Sequence, residues 1–120
     1  MNAFVFRKGR IFDIKKLLEL TRFLPVLKHM SVVWLIHNLY EIAWENGVQV
    51  SQVLQYPFVH KYHAEHIDNS DLSIPIIVDR FLNVIDGMHR LAKCVKYNIL
   101  YISAVVVTDN DLLEKARIYL

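Results

Sequence analysis

The residues best suited to chemistry are Asp86, Gly87, His89 and Arg90, which lie where an apolar run meets a predicted helix. The first turn of a helix offers unpaired N–H groups and the positive end of the peptide dipole, so it attracts anions. Gly87 permits positive φ, Arg90 offers a planar fork for two phosphate oxygens, and His89 can exchange a proton near neutral pH. The spacing therefore predicts a phosphate-binding turn. The alternative is an ordinary tight turn with solvated side chains.

The sequence around this turn predicts the order strand, turn, strand, helix, strand. Residues 72–78 and 82–85 are β-branched runs separated by a polar break, and residues 99–107 form a third such run. Residues 88–98 carry apolar side chains at helical spacing. Because that apolar stripe includes neither His89 nor Arg90, we expect Arg90 to face away from the core.

The ordered string "sIPIIV…nVIDGmHRlAk…yIsaVVV" resembles the ParB/sulfiredoxin superfamily. The resemblance covers about residues 71–107 well and extends more weakly to residues 11–14 and 24–26. It implies a small α+β fold, a mixed β-sheet flanked by helices, in a single domain spanning residues 1–120. It also implies that a Gly-x-x-Arg turn binds the phosphates of a nucleotide.

The turn differs from that of well-known members of the superfamily, and these differences narrow the activities that we expect. Sulfiredoxins place a nucleophilic cysteine where this chain has Met88, and a thioether cannot do thiolate chemistry. Cys94, the single cysteine, lies one turn past Arg90, so repair of oxidised cysteine is not expected. The Gly-Glu-Arg-Arg turn and helix-turn-helix of chromosome-partitioning ParB proteins are absent from the sequence. The free-serine kinases of the superfamily, with a Gly-His-type turn and carboxylates that activate a hydroxyl, are closer in chemistry.

The predicted ligand is a nucleotide triphosphate or diphosphate with Mg²⁺, or another phosphorylated small molecule. Its phosphates would lie on the N–H groups after Gly87, beginning with Met88, clamped by Arg90 and contacted by His89. Lys93 lies one turn further along the same face.

If the site is catalytic, we expect phosphoryl transfer or NTP hydrolysis, in which positioning and charge neutralisation supply most of the rate. Asp86 is the leading candidate for metal coordination or hydroxyl activation, with His89 beside it and Asp71 or Glu65 as the second carboxylate. A structural role for Asp86 is an equal alternative to catalysis. An Asp before Gly commonly stabilises a turn through a hydrogen bond between its side chain and the backbone.

Three histidines, His60, His63 and His66, recur on a helix predicted over residues 57–67. Their spacing lets only adjacent pairs share one metal ion, so a solvated polar face is the more common outcome. The resemblance implies instead that this helix packs beside the phosphate turn, where the histidines would line its mouth.

The remaining sequence predicts short elements. Residues 4–6 suggest an edge strand. Asp13 is the predicted N-cap of a helix that ends before Pro25, and residues 26–29 are predicted to form a short extended segment. Ser31 is predicted to cap a helix through Trp44 or Glu45 whose apolar residues wrap most of its circumference, which favours a homodimer. Residues 51–55 suggest one more helical turn.

Composition sets the class of protein. With 54% hydrophobic residues in 120 and no apolar run of the ~18 residues that a bilayer requires, we expect a soluble cytoplasmic protein without a signal peptide or membrane partner. Seven Lys or Arg residues lie in residues 1–40 beside two acidic ones. They could form a basic rim for nucleic acid or simply a solvated face, and the rim would comprise Arg7, Lys8, Arg10, Lys15 and Lys16.

Three functional classes follow. The first is a nucleotide- or phosphate-binding domain, with or without phosphotransferase or NTPase activity. The second is a ParB-like DNA-binding or nuclease module, and the third is a protein-interaction or inhibitor domain that retains the fold without catalysis.

Overall fold

The structure is a computed structural model that describes residues 4–119; part of the N-terminal stretch on which the signal-peptide prediction rests lies outside these residues. The elements in chain order are β1 Phe4–Arg7, β2 Arg10–Asp13, α1 Ile14–Thr21, β3 Leu27–Ser31, a 3-10 helix Val32–Tyr40, α2 Val50–Gln55, α3 Lys61–Asn69, β4 Ile76–Asp79, β5 Val84–Asp86, α4 Met88–Lys96, β6 Tyr101–Val107, α5 Asn110–Ala116 and β7 Arg117–Ile118.

A four-stranded mixed sheet with the order β3-β6-β4-β5 forms the centre of the molecule. β4 and β6 are parallel, and the other two pairs are antiparallel. All four residues of β4 are buried, as expected for a strand covered on both faces. The fold is therefore α+β, and the predicted order of elements from β4 to β6 is confirmed.

Alternate residues of β4 serve two hydrophobic cores. Ile76 and Val78 face the larger core, which the 3-10 helix, α2, α3 and α4 cover. Ile77 faces a smaller core with Phe12 of β2 and Leu113 of α5. This alternation, which follows from the two-residue period of a strand, places α4 against one face of the sheet and α5 against the other.

The N-terminal segment forms a second sheet, with the order β1-β2-β7. Lys8 and Gly9 both have positive φ and close the tight hairpin between β1 and β2, a turn whose twist suits paired strands. The edge position of β1 and the capping role of Asp13, which accepts a hydrogen bond from the Lys16 amide at 3.1 Å, agree with the predictions. Strand β2, at Arg10–Asp13, was not predicted.

The helix predicted from Ser31 to Trp44 is wrong in type and length. It is a 3-10 helix that ends at Tyr40, and the Ser31 side chain makes no capping hydrogen bond. Asn38, near the end of this helix, connects it to β5 and the segment before it: its buried side-chain amide donates to the carbonyls of Leu82 and Leu35 and accepts from the Val84 amide. After Glu41 the chain turns back in an irregular segment.

Further along the chain, α2 lies where a helical turn was predicted. Helix α3 begins at Lys61, four residues after the predicted start at Pro57, because residues 57–60 form turns instead.

Strand β3 lies at one edge of the mixed sheet. Its pairing with β6 is irregular between Leu27 and Met30, and the two residues inside that irregularity, Lys28 and His29, are exposed. Within residues 4–119, none of the helices is both long and apolar enough to cross a membrane.

Replacing Asn38 by Leu should lower the free energy of unfolding by about 3 kcal/mol. Leu is similar in size but leaves the Val84 N–H and Leu82 C=O groups buried without their partners. Urea denaturation would measure the loss. Asn69→Leu on the exposed face of α3 is the matched control and should change stability by less than about 0.5 kcal/mol; equal effects would contradict the role given to Asn38.

Candidate functional site

The turn between β5 and α4 has the backbone geometry that the sequence predicted. Gly87 is the N-cap of α4 with φ 108°, in the left-handed region. The side chain of Ile76 packs so closely that a Cβ atom at Gly87 would lie 2.5 Å from its Cγ2. Because Gly87 has no side chain to cap the helix, the N–H groups of the first turn of α4 receive no side-chain cap.

The sequence predicts only that Arg90 faces away from the core; in the structure its guanidinium is held by hydrogen bonds to the protein. Its Nη1 atom donates to the carbonyl oxygens of Ile74 at 2.9 Å and Pro75 at 2.7 Å, and its Nη2 atom pairs with Asp86 Oδ2 at 3.1 Å. Only 13% of the Arg90 side chain is exposed. The guanidinium therefore links the segment before β4 to the end of β5.

Asp86 lies between two arginines. Besides the ion pair with Arg90, its carboxylate attracts the buried guanidinium of Arg7. Arg7 donates to the carbonyl oxygens of Val84 and Ala43, and its burial lowers its pKa to about 10. Asp86 thus has a structural role through its arginine partners, which differs from the side-chain to backbone hydrogen bond that was the alternative to catalysis, and this role leaves a catalytic one open.

The predicted basic rim is only partly a surface feature. Arg7 is buried, Lys8 pairs with Glu41 at 3.3 Å, and Arg10 approaches Asp79 at 4.0 Å. Lys15 and Lys16 of α1 are exposed, as predicted.

The other predicted site residues lie on α3, on α4 and in the segment after α3. Lys93 donates to the Ser70 carbonyl at 2.9 Å, one turn beyond Arg90. Asp71 accepts hydrogen bonds from the amide and hydroxyl of Ser73, which lower its pKa, so it stabilises its own turn. Glu65 is exposed on α3. Within residues 4–119, neither Asp71 nor Glu65 makes a hydrogen bond or ion pair to the turn at Gly87.

Two histidines meet where α3 packs against α4. His63 Nδ1 lies 3.0 Å from His89 Nε2, and His63 Nε2 lies 3.4 Å from the Glu45 carboxylate. Both imidazoles stack on the Trp44 indole at 4.4 Å between ring centres. We call Glu45, His63 and His89 the relay. His63 is buried, so a solvated polar face was the wrong interpretation for this residue, and the approach of α3 to the turn agrees with what the resemblance implied.

Sequence reasoning missed Glu45, Trp44 and the pairing of His63 with His89. Trp44 was assigned to the end of a helix, whereas it lies in the irregular segment before α2. The available signal was one histidine in each of two helices expected to pack together. The sequence offered no means of choosing His63 among the three histidines.

Burial keeps both histidines neutral. Desolvation, assisted by the nearby His63, His66 and Arg7, lowers the pKa of His89 to about 4. Desolvation likewise lowers the pKa of His63, against the attraction of Glu45. Two neutral imidazoles at pH 7 can share one N–H···N hydrogen bond without repulsion.

Across residues 4–119, no group of three or more His, Cys, Asp or Glu residues is arranged to hold a metal ion. Cys94 is buried in α4, and its burial raises the pKa of the thiol, which disfavours the reactive thiolate. A pocket of about 150 Å³, open to solvent, lies where β4 and β6 end, and it is lined by neither Arg90 nor His89.

Comparison of the chain with protein-family models, with curated proteins and with solved structures gives no match. The residues of the site are therefore the basis for its proposed chemistry.

Replacing Gly87 by Ala should lower the free energy of unfolding by about 2–4 kcal/mol, because the new Cβ adds overpacking against Ile76 to an unfavourable positive φ. Thermal or urea denaturation measures the change. Gly47→Ala is the matched control, since Gly47 also has positive φ but nothing lies within 4 Å of its Cβ position. A loss at Gly87 no larger than at Gly47 would contradict the close contact.

Acid should destabilise the protein through His89. Its folded pKa of about 4 lies below the unfolded value near 6.5, so unfolding takes up a proton between these pH values. The contribution of His89 to stability is complete above pH 6.5 and is lost as the pH falls towards 4, with a slope of at most about 1.4 kcal/mol per pH unit. Urea denaturation from pH 8 to 4 measures this slope, and a His89→Asn variant should show a shallower one. Equal slopes would contradict the assignment.

Proposed function

We propose that this chain is a binding domain for a phosphorylated ligand of the nucleotide class, which lies on the first turn of α4. The observation that carries this proposal is the guanidinium of Arg90, fixed beside a helix start that has no side-chain cap. The ParB/sulfiredoxin resemblance of residues 71–107 agrees with it.

The contacts of Arg90 leave capacity for a ligand. A guanidinium has five N–H donors, and the hydrogen bonds to Ile74, Pro75 and Asp86 occupy three of them. The Nε–H group and one Nη2–H group remain for phosphate oxygens. Because the side chain is already ordered, less rotamer freedom is lost when a ligand binds.

The backbone supplies the second half of the proposed site. The first-turn amides of α4, at Met88, His89 and Arg90, point out of the helix start and favour negative charge. Gly87 is covered by Ile76 and Met88 is buried, so the ligand would contact the turn at the partly exposed residues His89 and Arg90 rather than in a deep cavity. Lys93 adds a positive charge one turn away.

The reaction class that fits this site is phosphoryl transfer or hydrolysis. Mg²⁺ is commonly bound by one or two carboxylates together with the phosphates of the substrate. Asp86 fits as the single protein carboxylate, because its Oδ2 atom pairs with Arg90 and Oδ1 remains. A cytoplasmic location, where nucleotides are abundant, stays part of the proposal.

A second candidate function is protein interaction, because several large apolar side chains of the 3-10 helix are exposed. Val33 is 67% exposed, Trp34 64% and Tyr40 62%. Exposed apolar side chains that cluster on one element are typical of association surfaces, including those of homodimers. A dimer in sedimentation experiments, together with no nucleotide binding, would favour this candidate.

Calorimetric titration of the protein with ATP and Mg²⁺ tests the proposed site. Arg90→Ala should weaken binding by about 1.5–3 kcal/mol, the contribution of charged hydrogen bonds. It should also lower stability, since it removes three contacts of the folded protein. The titration is therefore run well below the melting temperature of the variant.

Arg80→Ala provides the matched control. Arg80 is exposed and stacks on Phe81, outside the proposed site, so this variant should bind ATP as the wild type does. Wild-type affinity in a folded Arg90→Ala variant would remove Arg90 from the site, and no binding by the wild type would overturn the proposed function.

A further inference from the structure

The pocket at the ends of β4 and β6 is formed by the way the chain leaves these two strands. They are parallel neighbours, and their last residues, Asp79 and Val107, are paired. After Asp79 the chain turns back into β5 of the same sheet, whereas after Val107 it passes to α5, on the face of the smaller core. The two segments diverge, and the cavity of about 150 Å³ lies between them. Parallel strands commonly bind ligands in such crevices, beyond their carboxyl ends.

One side of this pocket is apolar. Val107 and Leu113, both buried members of the smaller core, line the pocket together with the exposed ring of Phe81. An apolar cavity of about 150 Å³ accommodates one benzene molecule, so a ligand of roughly six to ten non-hydrogen atoms suits this volume. A nucleotide is far larger, and the pocket is therefore not a second nucleotide site.

The other side of the pocket is polar and carries two arginines. Arg10 of β2 and Arg80 of the turn between β4 and β5 line it, together with the buried carboxylate of Asp79. This carboxylate accepts hydrogen bonds from the amides of Phe81 and Asn83 at 2.9 Å each and from the Asn83 side chain at 3.1 Å. Two guanidinium groups and one carboxylate, itself engaged in its own turn, leave the lining positive. The pocket therefore favours an anion over a cation.

Three other acidic residues lie close to the pocket in the sequence or in space but do not line it: Asp109, Asp111 and Glu114. The Glu114 carboxylate is bonded to Arg117 and Tyr119, and Asp109 accepts a hydrogen bond within its own turn. These groups have partners of their own, so they leave the arginines of the pocket to a ligand.

Arg10 is held in place but lacks a close partner. Its guanidinium lies over the buried Phe12 ring, 5.3 Å from the ring centre, and only 23% of the side chain is exposed. Within residues 4–119 it makes no hydrogen bond, and its ion contact with Asp79 Oδ2 measures 4.0 Å. A guanidinium largely removed from water normally has its N–H groups paired. The planar fork of Arg10 can therefore bind a carboxylate through two parallel hydrogen bonds.

We propose that this pocket binds a small organic acid, with its carboxylate on Arg10 and its apolar body against Val107 and Leu113. Arg80 adds electrostatic attraction from the exposed side. The site is separate from the turn at Gly87, because the pocket is lined by none of the residues of that turn. The inference goes beyond the proposed function and does not depend on nucleotide binding.

Titration of ¹⁵N-labelled protein with sodium benzoate, at pH 7 and constant ionic strength, tests the proposal. Benzoate joins a carboxylate to a single six-membered ring and so matches the volume of the pocket. We expect saturable shifts of the backbone amides that surround it, those of Phe81, Asn83, Thr108 and Asn110. Benzamide has nearly the same shape without the charge, and it should bind at least about tenfold more weakly.

Two variants and a matched control test the arginines. Arg10→Met keeps an apolar stem over Phe12 and removes the guanidinium, so benzoate should bind about tenfold more weakly or less. Arg80→Ala removes an exposed charge and should weaken binding about threefold. Arg22→Met is the control, because Arg22 is exposed and stacks on Phe23 outside the pocket, and this variant should bind benzoate as the wild type does.

The outcomes are decisive in both directions. Saturable benzoate binding that is lost with Arg10 supports the proposal, and wild-type affinity in a folded Arg10→Met variant overturns it. If Arg10→Met does not fold, Arg80→Ala decides in the same way. Inorganic phosphate that binds at these amides as tightly as benzoate would show a general anion site, and the organic-acid assignment would be wrong. Failure of benzoate to saturate also overturns the proposal and leaves ATP binding at Gly87 unaffected.

Discussion

The close approach of Ile76 to the backbone of Gly87 fixes where α4 starts. A residue with a Cβ atom would push β4 and the helix apart, and the positive φ of Gly87 turns the chain sharply from β5 into α4. The first turn of α4 consequently lies directly over β4. Arg90 reaches the carbonyl oxygens just before β4, and His89 reaches His63 on α3. The placement of Arg90 and of His89 therefore depends on one contact between a glycine and an isoleucine.

The electrostatics of the site follow from the same placement. Asp86 lies between Arg7 and Arg90, so the positive charge available to an anionic ligand is partly balanced inside the protein. Arg7 is committed to the carbonyl oxygens of Val84 and Ala43, which connects β1 to β5 and to the segment before Trp44. Arg90 is more exposed and keeps unused donors. Both arginines thus support the fold, and Arg90 differs in having N–H groups left for a ligand.

Local patterns predicted most of the region from β4 to β6, because there the strands and the helix each show their own period. The capping by Asp13 and the positive φ of Gly87 were also predictable, since each depends on a short-range requirement of the backbone. The 3-10 helix was not predictable from its apolar residues. Its attachment to the fold uses hydrogen bonds from Asn38 to Leu82 and Val84, which are more than forty positions away in sequence.

The residues of the candidate site show the same difference between local sequence signals and long-range contacts. The residues at the turn were identified from types and spacing within one segment. The fixed position of Arg90 was missed because its acceptors are main-chain carbonyl groups, which have no side-chain signature. The relay was missed because Glu45, His63 and His89 come from three separate segments and meet only when α3 packs against α4. Tertiary contacts of this kind are beyond any single-sequence pattern.

The irregular pairing of β3 bears on how the molecule behaves in a crowded solution. A straight, unpaired sheet edge is a template on which strands of other molecules can add. In β3 the distortion between Leu27 and Met30 interrupts that template, and Lys28 places a charge at the interruption. An incoming strand would have to bury this ammonium group or leave it between two backbones. The edge is thereby protected against the intermolecular strand pairing that leads to fibrous aggregates.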